Sequence, residues 1–226
     1  MLTALFKLLQ PELEMVRHRL LRETRLQGRR LPGVTWPVLN HLDQDFLPAL
    51  VLLSAHTQGY SGSRALSLAA VFQFIFLASL IHNNVKDEVA LETLVGDYFY
   101  TRFFDLLCRD GNLQFLAPLS QLICQIHLDA ARQHEKPSSS KSFRMREYLA
   151  AAATSLGSQL GRAEPWLAQA WQEIGLLLGK LWNGQPVTVK ASQAVEKLAP
   201  GTVRELLGEL VIQLSEELPV ERVMAL

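Results

Sequence analysis

The sequence predicts an all-α fold, and three observations carry that expectation. Apolar residues recur at steps of three and four along most of the 226 residues. No alternation of period two extends beyond residues 187–189. Gly, Pro, Asn, Asp and Ser gather in clusters that cut the chain into helical lengths. About eight to ten helices are expected around a buried central pair, in one domain over residues 1–226, with no internal repeat of roughly 20 to 50 residues. A single core at this length buries roughly 70% of the surface the unfolded chain exposes, so the fold needs neither disulfide nor structural metal.

The opening segment places Phe6, Leu9, Leu13, Val16 and Leu20 on one apolar stripe. Arg17, Arg19, Arg22 and Arg25 alternate with Glu12, Glu14 and Glu23 on the other face, which reads as solvated, the alternative being a docking site for an acidic surface or anionic lipid. Residues 27–37 and 57–63 are rich in Gly, Pro or Ser and read as connections around an apolar helix at 46–55. The run 65–81 has no formal charge. At about 1.5 Å per residue it falls short of a hydrocarbon core of about 30 Å, and Ser67, Gln73 and Ser79 interrupt it. It is expected to be a central helix buried on all sides.

Helical spacing continues over 91–108 and 113–134, broken at Asp110-Gly111-Asn112, and a loop is expected at 134–142. Helices at 143–160, 165–181 and 203–218 follow, the second stopped by Asn183-Gly184-Gln185-Pro186.

Composition narrows the function classes. There are 22 Lys and Arg against 22 Asp and Glu, so no long-range field draws the chain to nucleic acid. Cys108 and Cys124 stand apart, without the spacing of a zinc site or redox pair. No leader is read at the N-terminus, because charge begins at Lys7 and no cleavage site follows. A cytoplasmic location is expected.

Four strings, in order, carry a family resemblance. They are Pro48-Ala49-Leu50-Val51-Leu52-Leu53-Ser54-Ala55, Ser79-Leu80-Ile81-His82, Leu94-Val95-Gly96-Asp97-Tyr98, and Gly175-Leu176-Leu177-Leu178-Gly179. From about 40 to 190 the chain resembles the trans-polyprenyl diphosphate synthases. That resemblance implies an isoprenoid synthase-like helical bundle. In the family, magnesium ions bridge an allylic diphosphate to aspartates on two facing helices, a task that calls for hard anionic oxygen ligands.

The departures from the family pattern bear on function. The first aspartate motif becomes Asn83-Asn84-Val85-Lys86-Asp87, followed by Glu88, with His82 before it. An opposite unit charge at ~4 Å contributes about 4 kcal/mol at an effective dielectric near 20, and amide dipoles do not replace it. The family's Gly-Lys-x-x-Arg-Pro diphosphate clamp becomes Asp43-Gln44-Asp45-Phe46-Leu47-Pro48, so Gln44 and Leu47 replace cations, and the two acids are expected to repel a diphosphate. The second aspartate motif becomes Lys180-Leu181-Trp182-Asn183-Gly184.

The pattern looks like the small, non-catalytic subunit of a heterodimeric long-chain synthase, component 1 of a heptaprenyl or hexaprenyl diphosphate synthase. No cofactor or metal is expected on this chain, and magnesium is expected in a catalytic large-subunit partner. Phe99, Phe103, Leu106 and Leu107 form an aromatic stripe that fits either a core or a subunit interface, and the resemblance favours the interface. Phe72, Phe74 and Phe76 are candidates for the wall of a prenyl tunnel, although alternate spacing sends them to different faces and core packing is the plainer reading. His82 and Asp97 read as structural, and His127, Asp129, His134 and Glu135 as a solvated helix end rather than a metal site. Two other functions stay open. One is a homodimeric isoprenoid-binding protein without prenyl transfer. The other is an enzyme whose site is rebuilt from Asp43, Asp45, Asp87 or Glu88.

Overall fold

Turn chemistry and apolar spacing produce ten α-helices and one 3-10 turn, with no strand among the described residues. The computed structural model describes residues 4–24, 39–83, 89–135, 143–187 and 189–216. In chain order the helices are α1 (Ala4–Leu8), α2 (Gln10–Glu23), α3 (His41–Thr57), α4 (Ser63–Asn83), α5 (Val89–Arg109), α6 (Leu116–Glu135), α7 (Met145–Leu160), α8 (Pro165–Trp182), α9 (Val189–Glu196) and α10 (Thr202–Glu216).

Several boundaries differ from expectation for local reasons. Helix α3 starts at His41, ahead of the expected residue 46, because the Asn40 side chain accepts the Asp43 amide at 2.7 Å and caps the first turn. Pro48 lies inside this helix and costs it one backbone donor. Helix α6 runs through residues 134 and 135, the expected start of a loop, and 136–142 lie outside the described residues. Helix α9 was not expected, being too short for its spacing to register. The expected connection at 27–37 also lies outside the described residues.

The contacts divide the chain into two compact units. The first holds residues 1–10, 49–61 and 144–226. Its seam is α7 on α8, where Gly175 and Gly179 remove side chains from the contact. A Cβ on Gly179 would lie 2.6 Å from the Glu147 Cα, so the helices approach at backbone distance. Thr154, buried in this seam, donates its hydroxyl to the Trp171 carbonyl at 2.7 Å.

The second unit holds residues 11–48 and 62–143. Helix α4 is its apolar centre, packed on α5 and α6, with Phe72, Phe74 and Phe76 fully buried. It is long and apolar enough to cross a membrane, yet most of it is covered by protein, as the core reading expected. Arg17 and Arg19 of α2 depart from the expected solvated face, whereas the Arg22 side chain is 70% exposed as expected. Arg17 grips the buried Asp45 with two nitrogens, its Nε at 2.9 Å, and that bond holds its proton more tightly than usual. Arg19 pairs with Asp110, which also accepts from the Ser67 hydroxyl at 2.8 Å. Arg109 reaches Glu23 at 2.6 Å. These charged groups tie α2 to α3 and to the end of α5, while Arg25 lies outside the described residues.

Candidate functional site

The positions singled out in the sequence fall into three groups. The first lies where the end of α4 meets α5 and α6. Gly96 on α5 has no side chain because His82 occupies the space, and an added Cβ would lie 2.5 Å from the imidazole Nε2. The next residue, Asp97, places a carboxylate oxygen 3.3 Å from that nitrogen. The Gly-Asp pair is therefore a seat for His82. Its ring stacks on Tyr100 at 5.5 Å between centroids and meets His127 edge-on at 5.7 Å.

Tyr100 is the hub of this cluster. Its hydroxyl lies 3.1 Å from the Ser79 hydroxyl and 2.9 Å from His127 Nε2. Burial pushes the phenol of Tyr100 up, because the ionised form would lose water. Burial also pushes His127 down, and the neighbouring His82 adds to it. His127 is thus part of a polar junction rather than a solvated helix end, a departure from expectation. The sequence held no signal for it, since residues 82, 100 and 127 come from three helices and meet only by packing.

Asn83, the first position of the degenerate metal motif, donates its amide to the Ser79 carbonyl at 2.8 Å. Asn84, Asp87 and Glu88 lie outside the described residues.

The second group occupies the clamp positions. Leu47 is fully buried and presents no polar atom. Gln44 donates to the Leu39 carbonyl at 3.4 Å. Asp43 and Asp45 are buried, and the Gln73 amide donates to the Asp43 carbonyl at 2.9 Å. Because Arg17 neutralises Asp45, the expected repulsion does not come from that residue, and positions 44 and 47 carry no charge. The third group is in the other unit. Trp182 lies under the Arg146 guanidinium at 5.0 Å, and the Asn183 amide closes the end of α8 on the Gly179 carbonyl at 2.9 Å.

Magnesium calls for hard anionic oxygen ligands, and the carboxylates of the first motif, Asp87 and Glu88, lie outside the described residues. At the described positions of the two metal motifs stand Asn83, Lys180, Leu181, Trp182, Asn183 and Gly184, none of them a carboxylate. Among the described residues, no group of three or more His, Cys, Asp or Glu is placed to hold a metal.

The aromatic stripe also falls differently from the interface expectation. Phe99, Phe103, Leu106 and Leu107 are buried by the chain itself, with Phe99 5.9 Å from Phe74. The large apolar residues that α5 leaves in solvent are Leu94, 65% exposed, and Phe104, 47% exposed.

Comparison with known proteins defines the class. The chain has the helical fold of the polyprenyl synthases. It superposes on a polyprenyl synthase of Caulobacter crescentus, solved with calcium and isoprenyl diphosphate, with a TM-score of 0.78 and 17% identity over 94% of this chain and 98% of that one. A decaprenyl diphosphate synthase of Rhodobacter capsulatus gives 0.75 and 19% over 95% and 98%. A deletion mutant of the heterotetrameric geranyl pyrophosphate synthase of mint gives 0.61 and 19% over 89% and 98%.

In sequence, too, the chain is similar to trans-polyprenyl diphosphate synthases. The octaprenyl diphosphate synthase of Escherichia coli is 32% identical over 91 residues, 34% of this chain and 28% of the enzyme. A chloroplastic solanesyl diphosphate synthase of Arabidopsis thaliana is 25% identical over 231 aligned positions, 87% of this chain and 56% of the enzyme. The chain therefore spans between about a quarter and a little over half the length of these curated relatives. No protein-family model matches it.

Proposed function

We propose that the chain belongs to the trans-polyprenyl diphosphate synthases as a non-catalytic subunit. It would pair in the cytosol with a catalytic homologue that carries both aspartate motifs and the magnesium, in the manner of a heptaprenyl or hexaprenyl diphosphate synthase. The observation that carries this reading is the split between scaffold and chemistry. The seat of Gly96 under His82 and the Gly175–Gly179 seam are kept, while Leu47 is buried at a cation position and Lys180 opens the second metal motif. Fold likeness to a heterotetrameric synthase supports a heteromeric role.

In this reading the chain stabilises its partner by covering an apolar helix face and shapes the wall against which a growing prenyl chain stops, setting product length for quinone side chains. Leu94 and Phe104 are the contacts that α5 offers. The test is co-expression with a synthase of the same genome that has both aspartate motifs. The two chains should copurify, product length should differ from that of the synthase alone, and the double variant Leu94→Ser, Phe104→Ser should weaken association about tenfold or more while leaving this chain folded. Sustained prenyl transfer by the lone chain with magnesium, allylic diphosphate and isopentenyl diphosphate would overturn the reading. So would self-association with no binding of the synthase, the outcome a homodimeric isoprenoid-binding protein gives.

A further inference from the structure

Helices at the surface ordinarily carry charge on their open sides, as Glu14 and Arg22 do on α2 and Glu205, Glu209 and Glu216 on α10. The 3-10 turn at Leu113–Phe115 and the helix α6 that follows it do not. From 113 to 131 no exposed residue is charged, and the one acid of that stretch, Asp129, is half-buried. Leu113 and Leu128 are each 52% exposed, with Gln121 and the thiol of Cys124 open between them. An exposed face depleted of charge has the composition of the buried centre of a protein interface.

Uncharged surface continues on α5. Thr101, Phe104 and Cys108 are exposed at steps of three and four, with Asp97 and Arg109 as charged ends. The polar junction joins the two helices, because the Tyr100 hydroxyl lies 2.9 Å from His127 Nε2 and 3.1 Å from the Ser79 hydroxyl of α4. Phe104 is one turn on from Tyr100, and Cys124 is one turn before His127, so exposed residues flank the bond that ties their helices. Apolar packing alone lets helices slide past one another, whereas a satisfied hydrogen-bond network fixes one arrangement.

Size selects the kind of partner. A stable interface takes about 800 Å² from each side, and a helix face about 27 Å long and ~10 Å wide supplies roughly a third of it. With the 94–108 side of α5, about 21 Å long, the total is roughly 500 Å² in flat projection, to which the ridges of side chains add. A short peptide would cover one helix and leave the other open. We infer that α5 and α6 form one docking platform for the catalytic homologue, with the uncharged side of α6 at its centre and the Tyr100–His127 junction holding the two helices in register. This rests on the subunit reading and extends its contact from Leu94 and Phe104 to Leu113, Gln121, Cys124 and Leu128. Tyr100 and His127 are positioning residues that do not touch the partner.

The test uses the full chain copurified with a synthase of the same genome that has both aspartate motifs. Gln121→Arg and Leu128→Glu each place a charge at an exposed position, so they should keep the native melting curve and weaken association about tenfold or more. Tyr100→Phe removes one hydroxyl and should weaken association about threefold or more at unchanged helical content, while His127→Gln, which still offers an acceptor, should keep the parent affinity. Alkylation of Cys124 by N-ethylmaleimide, followed by mass spectrometry, should slow about tenfold or more in the complex, and alkylation of Ile212→Cys on α10 should not change. Parent affinity in both Gln121→Arg and Leu128→Glu, or Cys124 as reactive in the complex as in the free chain, overturns the inference and leaves the subunit reading standing. Parent affinity in Tyr100→Phe overturns the role of the junction. Absence of any complex overturns the subunit reading and this inference with it. Protection of Cys124 by self-association of the lone chain assigns the face to a second copy and overturns the partner named here.

Discussion

Replacing Gly175 by alanine tests whether α7 and α8 meet at backbone distance. The added methyl would lie 2.7 Å from the Ala150 carbonyl carbon and closer still to the Ala150 oxygen and the Thr154 hydroxyl. Ordinary carbon contacts begin near 3.4 Å, so the helices must part by most of an ångström or Thr154 must turn away. Overpacking of this kind costs about 1–3 kcal/mol. Disturbing the Thr154–Trp171 hydrogen bond adds about 1 kcal/mol, and the better helix propensity of alanine returns about 1 kcal/mol. The net loss is therefore roughly 2 kcal/mol, a fall in melting temperature of about 4–8 °C at this chain length. Gly208 in α10 is the control, because nothing lies within 4 Å of its added methyl. There the propensity term acts alone, and Gly208→Ala should raise the melting temperature by about 2–4 °C. Calorimetric melts of the two variants decide the matter. A Gly175→Ala protein as stable as the parent would refute the reasoning, whatever Gly208→Ala does.

Two further outcomes follow from the second unit. Arg17→Met leaves the Asp45 carboxylate buried without its cation and should destabilise the protein by roughly 2–3 kcal/mol in urea titrations, less than a fully buried pair would lose because Arg17 is half exposed. The Arg17→Met, Asp45→Asn double variant should recover part of that loss, and failure to do so would show that the pair is not coupled. The His127 proton is bound more weakly in the folded chain than at the ordinary value of 6.5, first because of burial and then because of His82. Its contribution to stability is therefore present above about pH 6.5 and is lost as pH falls through the lower folded value. Histidine resonances followed by NMR should show His127 titrating below 6.5, and His82→Gln should move it upward. A His127 midpoint at or above 6.5 in the parent protein contradicts the buried junction.

The helices and the main core were legible because they rest on spacing. Residues 6, 9, 13 and 16 are buried as their stripe requires, and the uncharged run at 65–81 forms the covered centre of its unit. The glycines of the last resemblance string could be read only as a match, and the structure gives their cause, close contact of α8 with α7. The polar junction was not legible. Tyr100 carried no motif, and His127 stood in the sequence beside the acids and histidine of a helix end. Likewise, helical spacing alone leaves the partner of the 99, 103, 106 and 107 stripe undetermined, and the structure covers it from within.

By itself, the sequence determined the helical class and the residue types at positions 43–48, 82–88 and 180–184, because residue type and spacing are local quantities. Only the tertiary structure decided that Asp45 is neutralised by Arg17 and that His82 rests on Gly96. Those facts depend on which charges and surfaces face one another after packing. Coulombic attraction and steric exclusion act across space, and residues dozens of positions apart become neighbours only when the helices have docked.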